Sequence, residues 1–199
     1  MPETLPTSPN FTHSRFYLSN RVQVFESALS GQIQTKILGG SYWKAEYTLP
    51  AMVRADWQKW VGFFDSLNGM SGTFFGLCPD CKTSLGTSTG TPLINGASQI
   101  GTSVITDGWS NSTLVLKAGD YISFNGELKR VTEDVTSDGS GNATIKFVPK
   151  IRTSPSDNAV ISVSSCTVPM RLIVNNINFR TNPNGISEPL TFGAEEVVT

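Results

Sequence analysis

Two cysteines three positions apart, Cys78 and Cys81 in the turn Cys78-Pro79-Asp80-Cys81, form the sharpest chemical motif in the chain. Such a turn can aim two thiolates at one metal ion or serve as a redox pair. Each chemistry asks for more than the sequence offers. A closed zinc site takes four ligands, and outside the turn there remain only Cys166 and the single histidine, His13, both remote. A redox pair gains its low thiol pKa at a helix N-terminus, yet residues 82–90 are rich in Gly, Ser and Thr and disfavour a helix. Cys78 and Cys81 are thus weak metal candidates, best read as a turn. Three cysteines make an odd set, which argues for a reducing compartment and for no disulfide, or one at most. A bond from either turn cysteine to Cys166 is the geometric alternative.

Other reactive side chains are equally isolated. His13, the natural general base near neutral pH, sits beside a Pro-rich N-terminal stretch, where a catalytic pair or triad has nothing to hold it. Asp120, Glu133, Asp134 and Asp138 are scattered without the calcium-loop spacing, and Glu133 and Asp134, adjacent on an expected strand, point to opposite faces as solvated groups. Gly39-Gly40 leads into a strand rather than a helix, so no phosphate cradle is expected. The chain reads as non-enzymatic, with no cofactor.

Composition narrows the partners. Fifteen Lys and Arg offset sixteen Asp and Glu, which leaves no strong field to draw in nucleic acid or an anionic membrane. No run approaches the roughly 18 apolar residues of a membrane span, and the first ten residues do not resemble a leader peptide. Eleven Phe and four Trp among many Gly, Ser and Thr suit strands and turns.

The elements that would position these groups follow from periodicity. Residues 1–14 read as an extended arm with Pro2, Pro6 and Pro9. Short strands are expected at 16–18, 22–25, 31–36 and, with Trp43, Ala45 and Tyr47 alternating, 41–49. A helix beginning at Pro50 would carry Val53, Trp57, Trp60, Val61, Phe64 and Leu67 on one face, with Asn68-Gly69 as its left-handed stop. A strand at 72–77 follows.

Composition then shifts: 17 of the 31 residues in 82–112 are Gly, Ser or Thr, too few large apolar groups to continue the same core. Strands are expected at 113–116, 120–124, 128–135, 143–148 and 159–163, with Asn125-Gly126 as a two-residue hairpin turn and 137–142 as a longer loop. Two more, at 168–174 and 190–198, have no core of their own. The economical arrangement is a mainly β fold: residues 15–81 and 165–199 form a split β-sandwich with one amphipathic helix, and 82–164 is an inserted small barrel-like domain.

The run Ser27-Ala28-Leu29-Ser30-Gly31-Gln32-Ile33-Gln34-Thr35, then Gly39-Gly40-Ser41-Tyr42-Trp43-Lys44-Ala45-Glu46-Tyr47, Leu49-Pro50-Ala51-Met52 and residues 57–70, resembles small tail proteins of long-tailed, siphovirus-like bacteriophages. Gly72-Thr73-Phe74-Phe75-Gly76 fits the strand that leaves the helix in that group, and residues 116–124 and 131–135 also look like phage tail sequences. Cys78 and Cys81 match nothing in the pattern. The resemblance implies a distal tail or minor tail protein: a virion component that assembles as a homohexamer into a ring joining the tail tube to the central hub or baseplate. Its implied partners are other copies of itself, the tail tube protein, the hub and other tail-tip proteins. The ring lumen would be a passage for DNA without sequence-specific contact, no membrane is involved, and the protein would be made and assembled in the bacterial host cytoplasm. Edge-to-edge strand pairing is the expected means of closing the ring. The alternative is a host-surface binding module for saccharide or protein, for which Trp109 is the one candidate loop aromatic.

Overall fold

The computed structural model describes residues 2–38, 40–78 and 81–198. In chain order the strands are β1 (Glu3–Thr4), β2 (His13–Ser19), β3 (Val22–Glu26), β4 (Ile33–Ile37), β5 (Tyr42–Leu49), β6 (Phe74–Leu77), β7 (Gly90–Ile94), β8 (Ser103–Trp109), β9 (Leu114–Leu116), β10 (Tyr121–Phe124), β11 (Glu127–Val131), β12 (Val135–Thr136), β13 (Ala143–Val148), β14 (Thr167–Leu172) and β15 (Leu190–Glu196), with helix α1 at Arg54–Ser66. The fold is mainly β, as the strand periodicity predicts. Contacts divide it into two compact units, Met1–Pro6 with Gly72–Met170, and Thr7–Ser71 with Arg171–Thr199. The borders fall at 71/72 and 170/171 rather than at 81/82 and 164/165, because β6 pairs with β1 and with the first residues of β14.

In the second unit β5 lies between β15 and β2, both antiparallel to it, and Ile173 donates to the Gly193 carbonyl on the far side of β15. Alternation along β5 buries Trp43, Ala45, Tyr47 and Leu49 and turns Tyr42, Lys44, Glu46 and Thr48 to the other face. The buried row packs with α1 in an aromatic cluster, where Trp60 meets Phe11, Phe63, Phe64 and Phe192 at centroid distances of 5.5 to 6.1 Å. Asn68 and Gly69 end the helix with φ of 49° and 67°, the left-handed stop that the sequence predicts.

The start of the helix departs from expectation. The Met52 backbone both donates to the Ser187 hydroxyl and accepts from the Ser187 N–H, so the chain from Pro50 stays extended and α1 begins only at Arg54. The buried stripe is accordingly Trp60, Phe63, Phe64 and Leu67, at i, i+3, i+4 and i+7, and Val53 is 56% exposed. Trp60→Ala should cost about 3–5 kcal/mol by emptying the aromatic cluster. Val53→Ala should change stability by no more than about 0.5 kcal/mol. Urea unfolding of the two variants distinguishes this stripe from the one read from spacing.

The N-terminal stretch is held by its own chain. Glu3 and Thr4 pair with Phe74 and Phe75, Thr12 donates to the Thr48 carbonyl, and the Phe11 ring stacks on Tyr47 at 4.6 Å. Apolar Phe11 finds cover in a core that lies within reach, which explains why no free arm results.

The first unit is built on a sheet in the order β10-β11-β13-β8-β7. Two of its strands, β7 and β8, lie in the Gly/Ser/Thr-rich stretch, where only Ile94, Val104 and Trp109 reach the core. Small residues hid the alternation: Gly90 and Gly108 sit against each other's strand with φ of 114° and 77°, positions with no room for a side chain. Asn125 and Gly126, with φ of 51° and 74°, make the expected tight turn between β10 and β11. The expected strand at 159–163 appears as two bridges, Val160 to Leu93 on β7 and Ser162 to Ser123 on β10. One segment thus hydrogen-bonds both edges of the five-stranded sheet and closes it around the apolar core.

Candidate assembly surface

Strands β2 and β5 do not end as an ordinary hairpin. Beyond the Ser19–Tyr42 pair, Leu38 donates to the Arg21 carbonyl, and pairing resumes at Val22–Ile37 through β3 and β4. Asn20 and Arg21 lie between the paired residues on one side of this junction, and Gly40 on the other side is left-handed (φ 70°). The base is braced by Tyr42, whose ring lies 5.2 Å from the Arg21 guanidinium carbon and 5.4 Å from Lys44 Nζ. Burial pushes its phenol up, but hydrogen bonds from Arg21, Lys44 and Ser19 prevail and hold it below the ordinary value.

The distal pair β3–β4 has no third strand beside it among the described residues. Cross-strand partners share a face, so Val22 with Ile37, Val24 with Thr35 and Glu26 with Ile33 form one side, and Gln23 with Lys36 and Phe25 with Gln34 the other. Every residue of both strands is exposed; Val24 stands at 59%, Ile33 at 64% and Ile37 at 77%. A two-stranded hairpin is marginal in water, and β-branched side chains on an open face mark a surface meant to be covered. Strand β2 likewise has no strand along its outer edge among the described residues, which contrasts with the sheet whose edges residues 160 and 162 occupy.

The residues singled out for chemistry lie elsewhere and apart. Cys78 and Cys81 are joined to each other, Cα atoms 5.2 Å apart, so a bridge does form and neither is bonded to Cys166. Their proximity in one turn decides the pairing, and it leaves no thiolate there for a metal. Pro79 and Asp80 lie outside the described residues. Cys166 is a buried free thiol, pushed up by burial, with its sulfur 3.2 Å from the Ser162 carbonyl. His13 is exposed in β2, its Nδ1 2.7 Å from the Thr12 carbonyl.

The acidic residues organise turns. Asp120 gathers donors from a loop some 35 positions away, and Asp138 accepts from Ser140 N–H, Asn142 N–H and Asn142 Nδ2, which hold its carboxyl below the ordinary value. Glu133 pairs with Lys146 at 3.0 Å and Asp134 accepts from Ala118 N–H; both are exposed, in the turn between β11 and β12 rather than on a strand. Trp109, the loop aromatic, is 4% exposed and its Nε1 donates to the Thr106 hydroxyl, which makes it a core residue. Gly39 lies outside the described residues. Among the described residues no three His, Cys, Asp or Glu converge on one point.

The exposed face of β3–β4 was not legible beforehand. Alternating Val22, Val24, Ile33 and Ile37 mark a half-buried strand, and nothing local says that no described segment of the chain covers them. No protein-family model matches the sequence, and no curated protein is similar to it at a significant level.

Proposed function

We propose that this chain is a structural component of a bacteriophage tail tip, a distal tail or minor tail protein whose copies close into a ring between the tail tube and the hub or baseplate. The observation that carries the reading is the pairing, in one sheet-plus-helix unit, of an open strand edge with an uncovered aliphatic hairpin, which is what a self-assembling subunit requires. The resemblance of residues 27–35, 39–47, 49–52 and 57–70 to phage tail proteins supplies the biological setting. On this reading the ring is a hexamer, the tail tube, hub and other tail-tip proteins are its further partners, and the protein works in the virion tail by assembly and not by catalysis. The spending of Asp120, Asp138, Glu133 and Asp134 on turns and surface pairs agrees with that role. The alternative, a host-surface binding module, loses its loop aromatic to the core.

Negative-stain images of the purified full-length protein, with light scattering across a concentration series, test the proposal. Closed rings of one size are expected; a monomer at every concentration reached would overturn it.

A further inference from the structure

We infer that the β3–β4 hairpin of one copy is laid along the open edge of β2 in the next copy, extending its sheet; this rests on the ring reading above. The hairpin cannot serve its own β2. Strand β3 begins at Val22, directly after β2 ends at Ser19, and the Ser19–Tyr42 and Val22–Ile37 pairs keep the two strand pairs in succession, so β3–β4 points onward from β2 rather than back beside it. Donor and acceptor therefore belong to different molecules.

Their alternation agrees. On β2, Phe16 and Leu18 are half-buried on the core side, Phe16 stacked on Trp43 at 5.1 Å, and Arg15 and Tyr17 face the other way. A hairpin strand docked with its aliphatic face on the core side would cover Phe16 and Leu18 with Val24 or Ile33 and leave Gln23, Phe25, Gln34 and Lys36 on the opposite side. A shift of one residue would reverse every side chain, so the period of two selects the facing.

The aliphatic face also supplies apolar area for the contact. Val22, Val24, Ile33 and Ile37 on it are 46% to 77% exposed. At roughly 100 Å² for a full side chain they offer on the order of 250 Å², about a third of the roughly 800 Å² per partner in a specific interface, to which backbone pairing with β2 adds. Because the hairpin and the β2 edge are different surfaces, the contact is head-to-tail, the kind that forms a ring when the rotation between successive copies closes.

The test compares wild type with the double variant Val24→Thr/Ile33→Thr, which keeps strand propensity and removes much of the aliphatic face, and with Ile100→Thr, an exposed control in the other unit. Light scattering should show the concentration for half-assembly raised at least tenfold in the double variant and unchanged in the control, with unfolding midpoints alike. Hydrogen exchange should show amides of His13–Ser19 slowed at least tenfold in assembled wild type relative to dilute protein. Assembly of the double variant at wild-type concentration, or assembly without slowing in β2, would overturn this contact while leaving the ring intact. A wild-type chain that never assembles would remove both.

Discussion

Lys129→Met should destabilise the first unit by about 3–5 kcal/mol, the usual consequence of leaving one partner of a buried ion pair alone. The Lys129 side chain is wholly buried on β11, its Nζ in contact with Glu127 Oε2, donating to the Lys150 carbonyl at 2.8 Å, and lying 6.0 and 5.7 Å from the Phe124 and Phe147 ring centres. Glu127 also accepts from the Thr153 N–H at 2.8 Å and the Arg152 N–H at 3.2 Å. Burial pushes the Glu127 carboxyl up, but the Lys129 hydrogen bond and charge together with the Thr153 and Arg152 N–H groups outweigh it and hold the group below its ordinary value of 4.5. Without Lys129 the carboxylate keeps its burial and loses its counter-charge. Lys129→Met/Glu127→Gln should recover most of the loss, to within about 1–2 kcal/mol of wild type, because a neutral amide oxygen still serves the two N–H donors and no buried charge is left without its counter-charge. Urea unfolding of the single and double variants at neutral pH checks this; a double variant no more stable than Lys129→Met would show that the pair is not energetically coupled.

Asp120→Ala should cost about 4 kcal/mol, since one 4%-exposed carboxylate organises two separate loops. Its oxygens accept from the Ser84 hydroxyl at 2.6 Å and from the N–H groups of Leu85, Lys117 and Gly86 at 2.7, 2.8 and 3.1 Å. Asp120→Asn should fall between, because the amide retains one acceptor and turns a donor toward groups that are donors themselves. Burial again pushes this carboxyl up, and the Lys117, Ser84, Leu85 and Gly86 donors prevail, so its folded pKa lies below the ordinary 3.8. A depressed carboxyl contributes stability that is fully present above the unfolded value and is lost as pH falls through the folded one. Wild type should therefore weaken as pH drops below 4.5 and then 3.8, where Glu127 and Asp120 would titrate in the unfolded chain. Thermal unfolding from neutral pH downward should show a shallower acid slope in Asp120→Ala; an equal slope would mean that Asp120 is not the responsible group.

Lys129 and Asp120 belong to the closed unit, and the proposed assembly surface belongs to the other. This division gives the fold a physical sense. Where residues 159–162 occupy both sheet edges, the polar side chains are free to lock turns, and Asp120, Asp138 and Glu127 do so. Where β2 keeps an open edge, the chain continues into an aliphatic hairpin that its own core does not cover.

Local chemistry alone determined much of this. Asn125-Gly126 and Asn68-Gly69 adopt positive φ because Asn and Gly tolerate it, so the hairpin turn and the helix stop were legible in two dipeptides. The alternation of Trp43, Ala45 and Tyr47 marked β5 as half-buried because side chains on a strand must point to opposite faces. Only the tertiary structure decided which stripe of α1 is buried, since a backbone contact with Ser187, 135 positions from Met52, delays its start. Strands β7 and β8 were hidden because Gly and Thr carry almost no hydrophobic period; they pair with each other, and β8 is held on its other side by the distant β13, with Ala143 opposite Thr106. The same holds for Asp120, whose loop partners are 34 to 36 residues distant, and for the bareness of β3–β4. Periodicity records that a side chain expects cover, and whether cover exists depends on where every other segment of the molecule comes to rest.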